Sequence, residues 1–466
     1  MSQVASKQDE KFREYALNAA PLRVIFTVCA PLALYQGLCQ LFSILDALMA
    51  AHISAGAVSA ISSLAQVTAM INALGAGLAV GGCIKISESY GMGDYQEVRQ
   101  RTSTLYAVTV ICGLVIAVVL VPFAVPFLRL LNTPEELIII GAGYFRIEVI
   151  DMVLRFFNTV FIAIERSRGH SKLILVLNIV TLVVKLGLSA LFVYVLETGV
   201  VMVAVATLVS QAVITLYALI KMPRDEGAFR FSSKAVKIRK AVIGPILTIS
   251  FPVAAEKLLF AAGKVIVNAM SGGYGPLTVG ALGISNNIGG FTTNLHAGVL
   301  DGGSALIGQN HGAGKTGRSI KIFHFLLVID VVIGLAGLII VSIFLPQIAS
   351  VFAHSRDEFN QEFCDMIVAI HRYEMLGYIM LGINSAVNAF LLGYGYAKLT
   401  MMLNVARVFV FRVPVLWYLQ QFTAMGSEAV GVTMMVSNVA TGLFSIVVII
   451  PVIRKLIKSE KALGVA

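Results

Sequence analysis

Residues 74–94, LGAGLAVGGCIKISESYGMGD, and residues 295–315, LHAGVLDGGSALIGQNHGAGK, are one stretch written twice, 221 positions apart. Ala76-Gly77 falls on Ala297-Gly298, Gly81-Gly82 on Gly302-Gly303, and the Gly91-x-Gly93 pattern on Gly312-x-Gly314. The correspondence extends outward. At the same offset Pro31 falls on Pro252, Met49 on Met270 and Ala60 on Ala281. Further along, the offset becomes 226: Arg146 and Glu148 fall on Arg372 and Glu374, Asn158 on Asn384, Gly169 on Gly395, Lys172-Leu173 on Lys398-Leu399, and Asn178 on Asn404. Chance supplies matching alanines and leucines. It does not supply Pro, double Gly, Gly-x-Gly and Arg-x-Glu in one order.

Composition says what medium these halves occupy. The chain has 466 residues, 58% hydrophobic and 13% charged, against about 25% charged in soluble proteins. Mean hydropathy is +0.87. Disordered, collagen-like and disulfide-scaffold classes fail with 12 Pro and 5 Cys spread through long apolar runs. The net charge of +10 sits in short basic loops and forms no basic domain, so nucleic acid is not an expected partner. The cysteines form no CxxC, and neither a disulfide nor a metal site is expected. The reading is an all-α polytopic membrane protein with the lipid bilayer as its medium.

A membrane helix needs about 20 mostly apolar residues. Twelve such spans are expected, at 22–48, 56–88, 102–128, 138–163, 172–196, 199–221, 241–270, 277–309, 321–345, 361–392, 398–421 and 428–453. The first apolar stretch is too long for a signal-peptide core, so an uncleaved helix is expected there. Loops on one side carry 23 Lys and Arg, from Lys7 to Lys461, while those on the other carry Arg129 and Arg356. The positive-inside rule then puts both termini in the cytoplasm. Six spans per half is an even number, so both halves enter from one side and the repeat is parallel. The expected division is 1–221, a linker 222–240, and 241–466. Transporters built from parallel halves bind substrate between them and alternate access by moving one against the other.

The residues resemble the multidrug and toxic compound extrusion (MATE) family, within the MOP flippase superfamily. The resemblance rests on Pro31, Asp46 in Leu45-Asp46-Ala47, the Gly56-Ala57 opening of the second span, the duplicated Gly-x-Gly turns, and Glu165-Arg166-Ser167-Arg168-Gly169. It covers nearly the whole chain. It implies a 6+6 fold and a secondary antiporter that exports organic solutes or drugs against entering H⁺ or Na⁺. No cofactor is implied beyond that ion, no enzyme activity, a small-molecule substrate, and a monomer. It also implies that Asp46 is the coupling carboxylate with Asn178 beside it. Leu182 occupies the place where the family carries a further Asp, and Lys185 lies nearby. That departure points to an alternative, a flippase or exporter of an anionic or lipid-linked substrate.

Charges inside the spans need a reason, since each costs about 2.5–3.5 kcal/mol at mid-membrane. Asp46 reads either as a solvated helix-end carboxylate or as an interior one. Glu256, one turn after Pro252, is the competing coupling carboxylate. Lys185, Lys257 and Arg412 fall near mid-depth and are assigned with Asn158 to a basic substrate cavity, in which Glu256 is the acid expected nearby. Arg407 is shallower and is expected to reach toward the inner surface. Asp151 and Arg155, four apart, read as a structural pair. Arg146-x-Glu148 and Arg372-x-Glu374 read as locks near the outer helix ends, while Asp330 has no assigned role. Polar residues such as Gln66, Asn72, Asn294 and His296 read chiefly as bonds between neighbouring helices. No Walker sequence, HExxH or GxSxG occurs. A receptor or channel would share the spans but not the need for repeat-related buried charges. A reporter fused after Ala466 should read as cytoplasmic, and a cysteine placed at Lys234 should resist external labelling; an external signal from either reverses the orientation.

Overall fold

A computed structural model describes the backbone of residues 6–50, 55–130, 135–196, 198, 200–355 and 358–462. Side chains of 44–67, 69–70, 127–128, 130–141, 197, 199–200, 354–359 and 461–462 lie outside the description.

A short amphipathic helix, α1 (Lys7–Asn18), leads into α2 (Pro21–Ala50) and α3 (Ala55–Met92). Then come α4 (Tyr95–Leu120), α5 (Ala124–Leu130), α6 (Glu135–Ser167), α7 (Ser171–Ala190) and α8 (Val200–Arg224). The second half has α9 (Lys240–Ser271), α10 (Pro276–Gly312), α11 (Thr316–Ala353), α12 (Gln361–Glu374), α13 (Tyr378–Gly393), α14 (Ala397–Ala406), α15 (Val413–Phe422) and α16 (Glu428–Ala462). With α1 set aside, and α4–α5, α12–α13 and α14–α15 each taken as one interrupted span, these are the twelve expected, in two six-helix repeats. Among the described residues nine meet the length and hydropathy of a bilayer crossing. α10 falls short because its apolar run carries Asn286, Asn287, Thr292, Asn294 and His296. Four expected spans depart from α-helical geometry: at Val121–Phe123, at the π turn Leu191–Val195, at the 3₁₀ turn Met375–Gly377, and at the π turn Arg407–Arg412.

The duplicated glycines terminate helices. Gly93 and Gly314 have φ of 80° and 70°, and Gly169 and Gly395 have 81° and 76°. In each the next amide reaches five residues back, as Asp94 to Ser89 at 3.0 Å and Tyr396 to Leu391 at 2.7 Å. This is the αL helix stop that satisfies terminal carbonyls, and a side chain there would be strained.

Other glycines admit neighbouring helices. A Cβ on Gly77 would lie 2.6 Å from the Ser250 carbonyl oxygen and 2.8 Å from Ala254 Cβ; on Gly81 it would lie 2.6 Å from the Ile246 carbonyl. The repeat reproduces the contact: Gly298 abuts the backbone of Ala33 and Gly302 that of Cys29, with Ala33 and Cys29 standing 221 positions before Ala254 and Ser250. Gly82 on Leu105 recurs as Gly303 on Leu326, and Gly113 on Val153 as Gly334 on Ile379.

These seats decide which residues pack together. The chain forms two compact units, one of residues 1–19 and 41–257, the other of 20–40 and 258–466. The packing units and the sequence halves therefore do not coincide. The first part of α2 packs with the second half of the sequence, and the first part of α9 with the first half. In lipid there is little hydrophobic drive between helices, so close backbone approach at small residues takes its place. Gly298→Ala should cost about 1–3 kcal/mol, since the obstacle is backbone. Gly283→Ala, which meets nothing within 4 Å, should be neutral; equal melting temperatures in detergent for the two would refute the seat.

Candidate functional site

Each packing unit buries one repeat-related set of charges. In the first, Glu148 and Asp151 on α6 are buried, and Asp151 pairs with Arg155 one turn on. Lys185 on α7 acts electrostatically on both carboxylates. In the second, Glu374 on α12 accepts a hydrogen bond from Ser285 of α10 and lies beside His371. His371 Nδ1 lies 2.8 Å from Ser285 Oγ, and its Nε2 lies 2.8 Å from the Tyr378 hydroxyl. Arg412 acts on Glu374 across this cluster. Glu148 and Glu374 are repeat mates, and so are Lys185 and Arg412 once one residue is allowed for. The π turn Arg407–Arg412, closed by the Val413 amide on the Val408 carbonyl, supplies that residue. The offset is 226 at Asn178 and Asn404 before the turn, and 227 at Ser210-Gln211 and Ser437-Asn438 beyond it.

The two sets differ in charge. The first has two acids against two cations. In the second, Arg412 donates from Nε to Ser437 Oγ at 3.1 Å and from a terminal nitrogen to Asn438 Oδ1 at 3.3 Å. Arg407 donates to the same Asn438 oxygen at 3.2 and 2.8 Å. Arg407 and Lys264 both lie over the Phe260 ring, 5.6 and 5.5 Å from its centroid. Three cations thus share the field of Glu374, two of them on one neutral amide oxygen, and among the described residues Asn438 Nδ2 is buried without a hydrogen-bond partner. Arg407 does not reach toward water as its depth suggested; the π turn brings it round to Asn438, where an acceptor and an aromatic face receive it.

The remaining sequence candidates divide between the units. Asn158 donates to the Gln211 carbonyl and side chain at 2.9 and 3.0 Å and accepts from Thr215 at 2.8 Å, tying α6 to α8. Its mate Asn384 bonds Asn404 and Ser445. Asn178 is buried and donates back to the Ile174 carbonyl at 2.7 Å. Glu256 and Lys257 are the last residues of the first unit on α9, Glu256 half-buried and Lys257 exposed. The side chains of Asp46 and Gln66 lie outside the described residues. Arg412 is buried and hydrogen-bonded. The expectation that Glu256 is the one acid near the cations is corrected: Glu148 and Asp151 face Lys185, and Glu374 faces Arg412. A buried cation needs a countercharge, and spacing along one helix does not show which neighbour supplies it. Arg372 pairs with Glu428 at 2.8 Å on the surface, so each Arg-x-Glu directs only its Glu inward.

Sequence reading missed how α1 is held. Arg168 is buried between Asp225, Asp9 and Glu165. Arg13 caps α3 by donating to the Tyr90 and Gly91 carbonyls, and Phe12 fills the space over Gly169. Ser6 capping the Asp9 amide at 3.1 Å was the available signal, a Ser followed three residues later by an acid. Burial alone would raise the Glu165 carboxyl, but the His170 hydrogen bond and the charges of Arg168 and Lys221 outweigh it and hold it at about 2. A depressed carboxyl stabilises above its unfolded value of about 4.3 and ceases to as pH falls toward the folded one. Hydrogen-exchange protection in residues 7–18, taken against the intrinsic rate at each pH, should therefore fall as pH drops from about 4.5 toward 2. Glu165→Gln should already be loosened at neutral pH and lack this acid step; an identical acid profile would refute the assignment.

Two duplicated six-helix repeats with charge sets buried in each define a membrane transporter. The MatE family model matches residues 31–191 and 252–418; the chain belongs to this family of multidrug and toxic compound extrusion transporters and is not an enzyme. It is 22% identical over 386 residues to the probable multidrug resistance protein YoeA of Bacillus subtilis, covering 81% of each chain. It is 26% identical over 261 residues to the multidrug export protein MepA of Staphylococcus haemolyticus, 56% of this chain and 57% of that one. Its fold matches the outward-facing conformation of a multidrug resistance MATE family transporter, with TM-score 0.91 and 19% identity over 97% of this chain and 99% of that one. It also matches a MOP superfamily transporter from Pyrococcus furiosus, described as having a binding pocket of reverse polarity, with TM-score 0.89 and 19% identity over 97% and 99%.

Proposed function

We propose that this chain is a secondary antiporter of the bacterial inner membrane that exports organic solutes by alternating access, with both termini cytoplasmic and H⁺ or Na⁺ entering in exchange. The family, the relatives named as multidrug exporters and the parallel repeat support this reading. The observation that carries the substrate class is the uneven charge of the two buried sets. Arg407, Arg412 and Lys264 share one carboxylate, beside a buried amide donor that has no acceptor among the described residues. Such a site favours a carboxylate, sulfonate or phosphate group on the solute. Lys185, Lys257 and Asn158, in the first unit, are the further residues proposed to meet substrate. An anionic lipid-linked substrate is the second reading, favoured by the same surplus and by the fold likeness to a transporter of reversed pocket polarity.

Asp46 is the proposed coupling carboxylate, oriented by Asn178, with Glu256 as its rival. Removing one charge from the cation set should be selective. In everted vesicles, Arg412→Gln should lower export of carboxyfluorescein about tenfold or more, some 1.4 kcal/mol, and that of cationic ethidium much less. Equal losses for both dyes would make Arg412 structural. In proteoliposomes under an imposed pH or Na⁺ gradient, Asp46→Asn should abolish gradient-driven export without unfolding. Full activity in Asp46→Asn with loss in Glu256→Gln would move coupling to α9.

A further inference from the structure

The second unit holds another buried pair, outside both repeat-related charge sets. His296 on α10 and Asp330 on α11 are both buried, with Nδ1 2.7 Å from Asp330 Oδ1. Gly382 on α13 makes room for them, since a Cβ there would lie 2.9 Å from His296 Cε1 and against the Asp330 backbone carbonyl. Ser385, a turn further, donates to the His296 backbone carbonyl at 3.0 Å. Among the described residues the far atoms of the pair, His296 Nε2 and Asp330 Oδ2, have no hydrogen-bond partner, and the Ser385 hydroxyl lies near enough to act on the Asp330 carboxyl. The repeat-related positions are Gly75 and Thr109, so the pair belongs to one half alone.

Among the described residues no further charge faces it from the packed elements. On α13 the one titratable side chain, Tyr378, is bonded to His371. On α12, His371 and Glu374 are held at Ser285, eleven residues before His296 and so about 16 Å along α10. Asp301, five residues beyond His296, points about 140° round that helix. On α11 the nearest, His324, is six residues before Asp330; within this unit α2 has Arg23 at its start, and α16 has none between Glu428 and Arg454. Among the described residues His296 is the group whose charge acts on Asp330.

With no proton shared between them, the pair is a buried net anion. With one proton it is neutral overall, whether written as imidazolium and carboxylate or as imidazole and carboxylic acid. An unscreened, uncompensated charge in such surroundings is the costly state. The sealed pair therefore holds one proton, and releases it when water reaches Nε2 or Oδ2. We propose that His296–Asp330 is a proton-carrying site of this exporter, which names H⁺ as an ion the chain exchanges. Its use in export rests on the antiport reading above; its proton binding does not.

The test needs one measurement for each part. Purified protein is titrated from pH 9 to 5 in detergent, beside the double variant His296→Gln/Asp330→Asn, which keeps side-chain hydrogen bonding between α10 and α11 but cannot carry the proton. The unsubstituted protein should take up about one proton more per chain. The two single variants, titrated in parallel, carry the comparison should the double variant not fold. In everted vesicles, export of carboxyfluorescein driven by an imposed pH gradient should fall at least about tenfold in the variant, and its dependence on pH should flatten. Equal proton uptake, or export by the variant with the unsubstituted pH profile, would overturn the proposal and leave a plain interhelical clamp. Unsubstituted protein that titrates as expected but exports no faster under the gradient would overturn the antiport reading and the use of the proton, leaving its binding site.

Discussion

Close backbone approach at repeated glycines is the constraint on which the remaining structure depends. Within the bilayer every backbone polar group must be paired inside its own helix, so neighbouring helices meet through shape and through the few polar side chains they can bring into register. Gly77 and Gly81 take the first part of α9, and Gly298 and Gly302 the first part of α2. Gly334 and Gly382 bring α11 and α13 together at the level of Asp330. Without those missing side chains, the hydrogen bonds from Ser385 to His296 and from His296 to Asp330 would not be in reach. The polar interior is a product of the glycine pattern.

Given that framework, the buried charges follow from their countercharges. The first unit neutralises its interior, with Asp151 against Arg155 and Glu148 within the field of Lys185. The second spreads its surplus over a shared amide oxygen and an aromatic face. Asn438 Oδ1 receives two guanidiniums at once, an arrangement that disperses charge without cancelling it. Duplication thus produced two interiors of the same architecture and different electrostatic character.

Much of this was legible in the sequence, because period and spacing are properties of one chain segment at a time. Twelve spans, the parallel repeat and the helix stops at Gly93 and Gly169 follow from hydropathy and from paired glycines. The inward turn of Glu148 and Glu374 was not legible, since their neighbours Arg146 and Arg372 face outward and the three-residue pattern looks the same either way. Nor was the partnership of Arg407 with Arg412: at α-helical geometry five residues place side chains about 140° apart, and only a π turn brings them to one acceptor. The crossing of α2 and α9 between packing units left no mark in composition, because it is fixed by contacts more than 160 residues apart in sequence.

That π turn has a consequence for how such a duplicated protein can change. A loop absorbs an added residue by bulging into water. A membrane helix has no such outlet, because a bulged-out peptide would face hydrocarbon with its groups unpaired. Widening one turn, so that Val413 closes on Val408, accommodates the residue with its backbone bond intact. Everything beyond is rotated and advanced by a single step: the cation equivalent to Lys185 becomes residue 412, while the residues before it keep their registration with the first half. Insertion and deletion, usually the currency of surface divergence, here act in the middle of the bilayer and re-aim an interior side chain in one half without disturbing its twin.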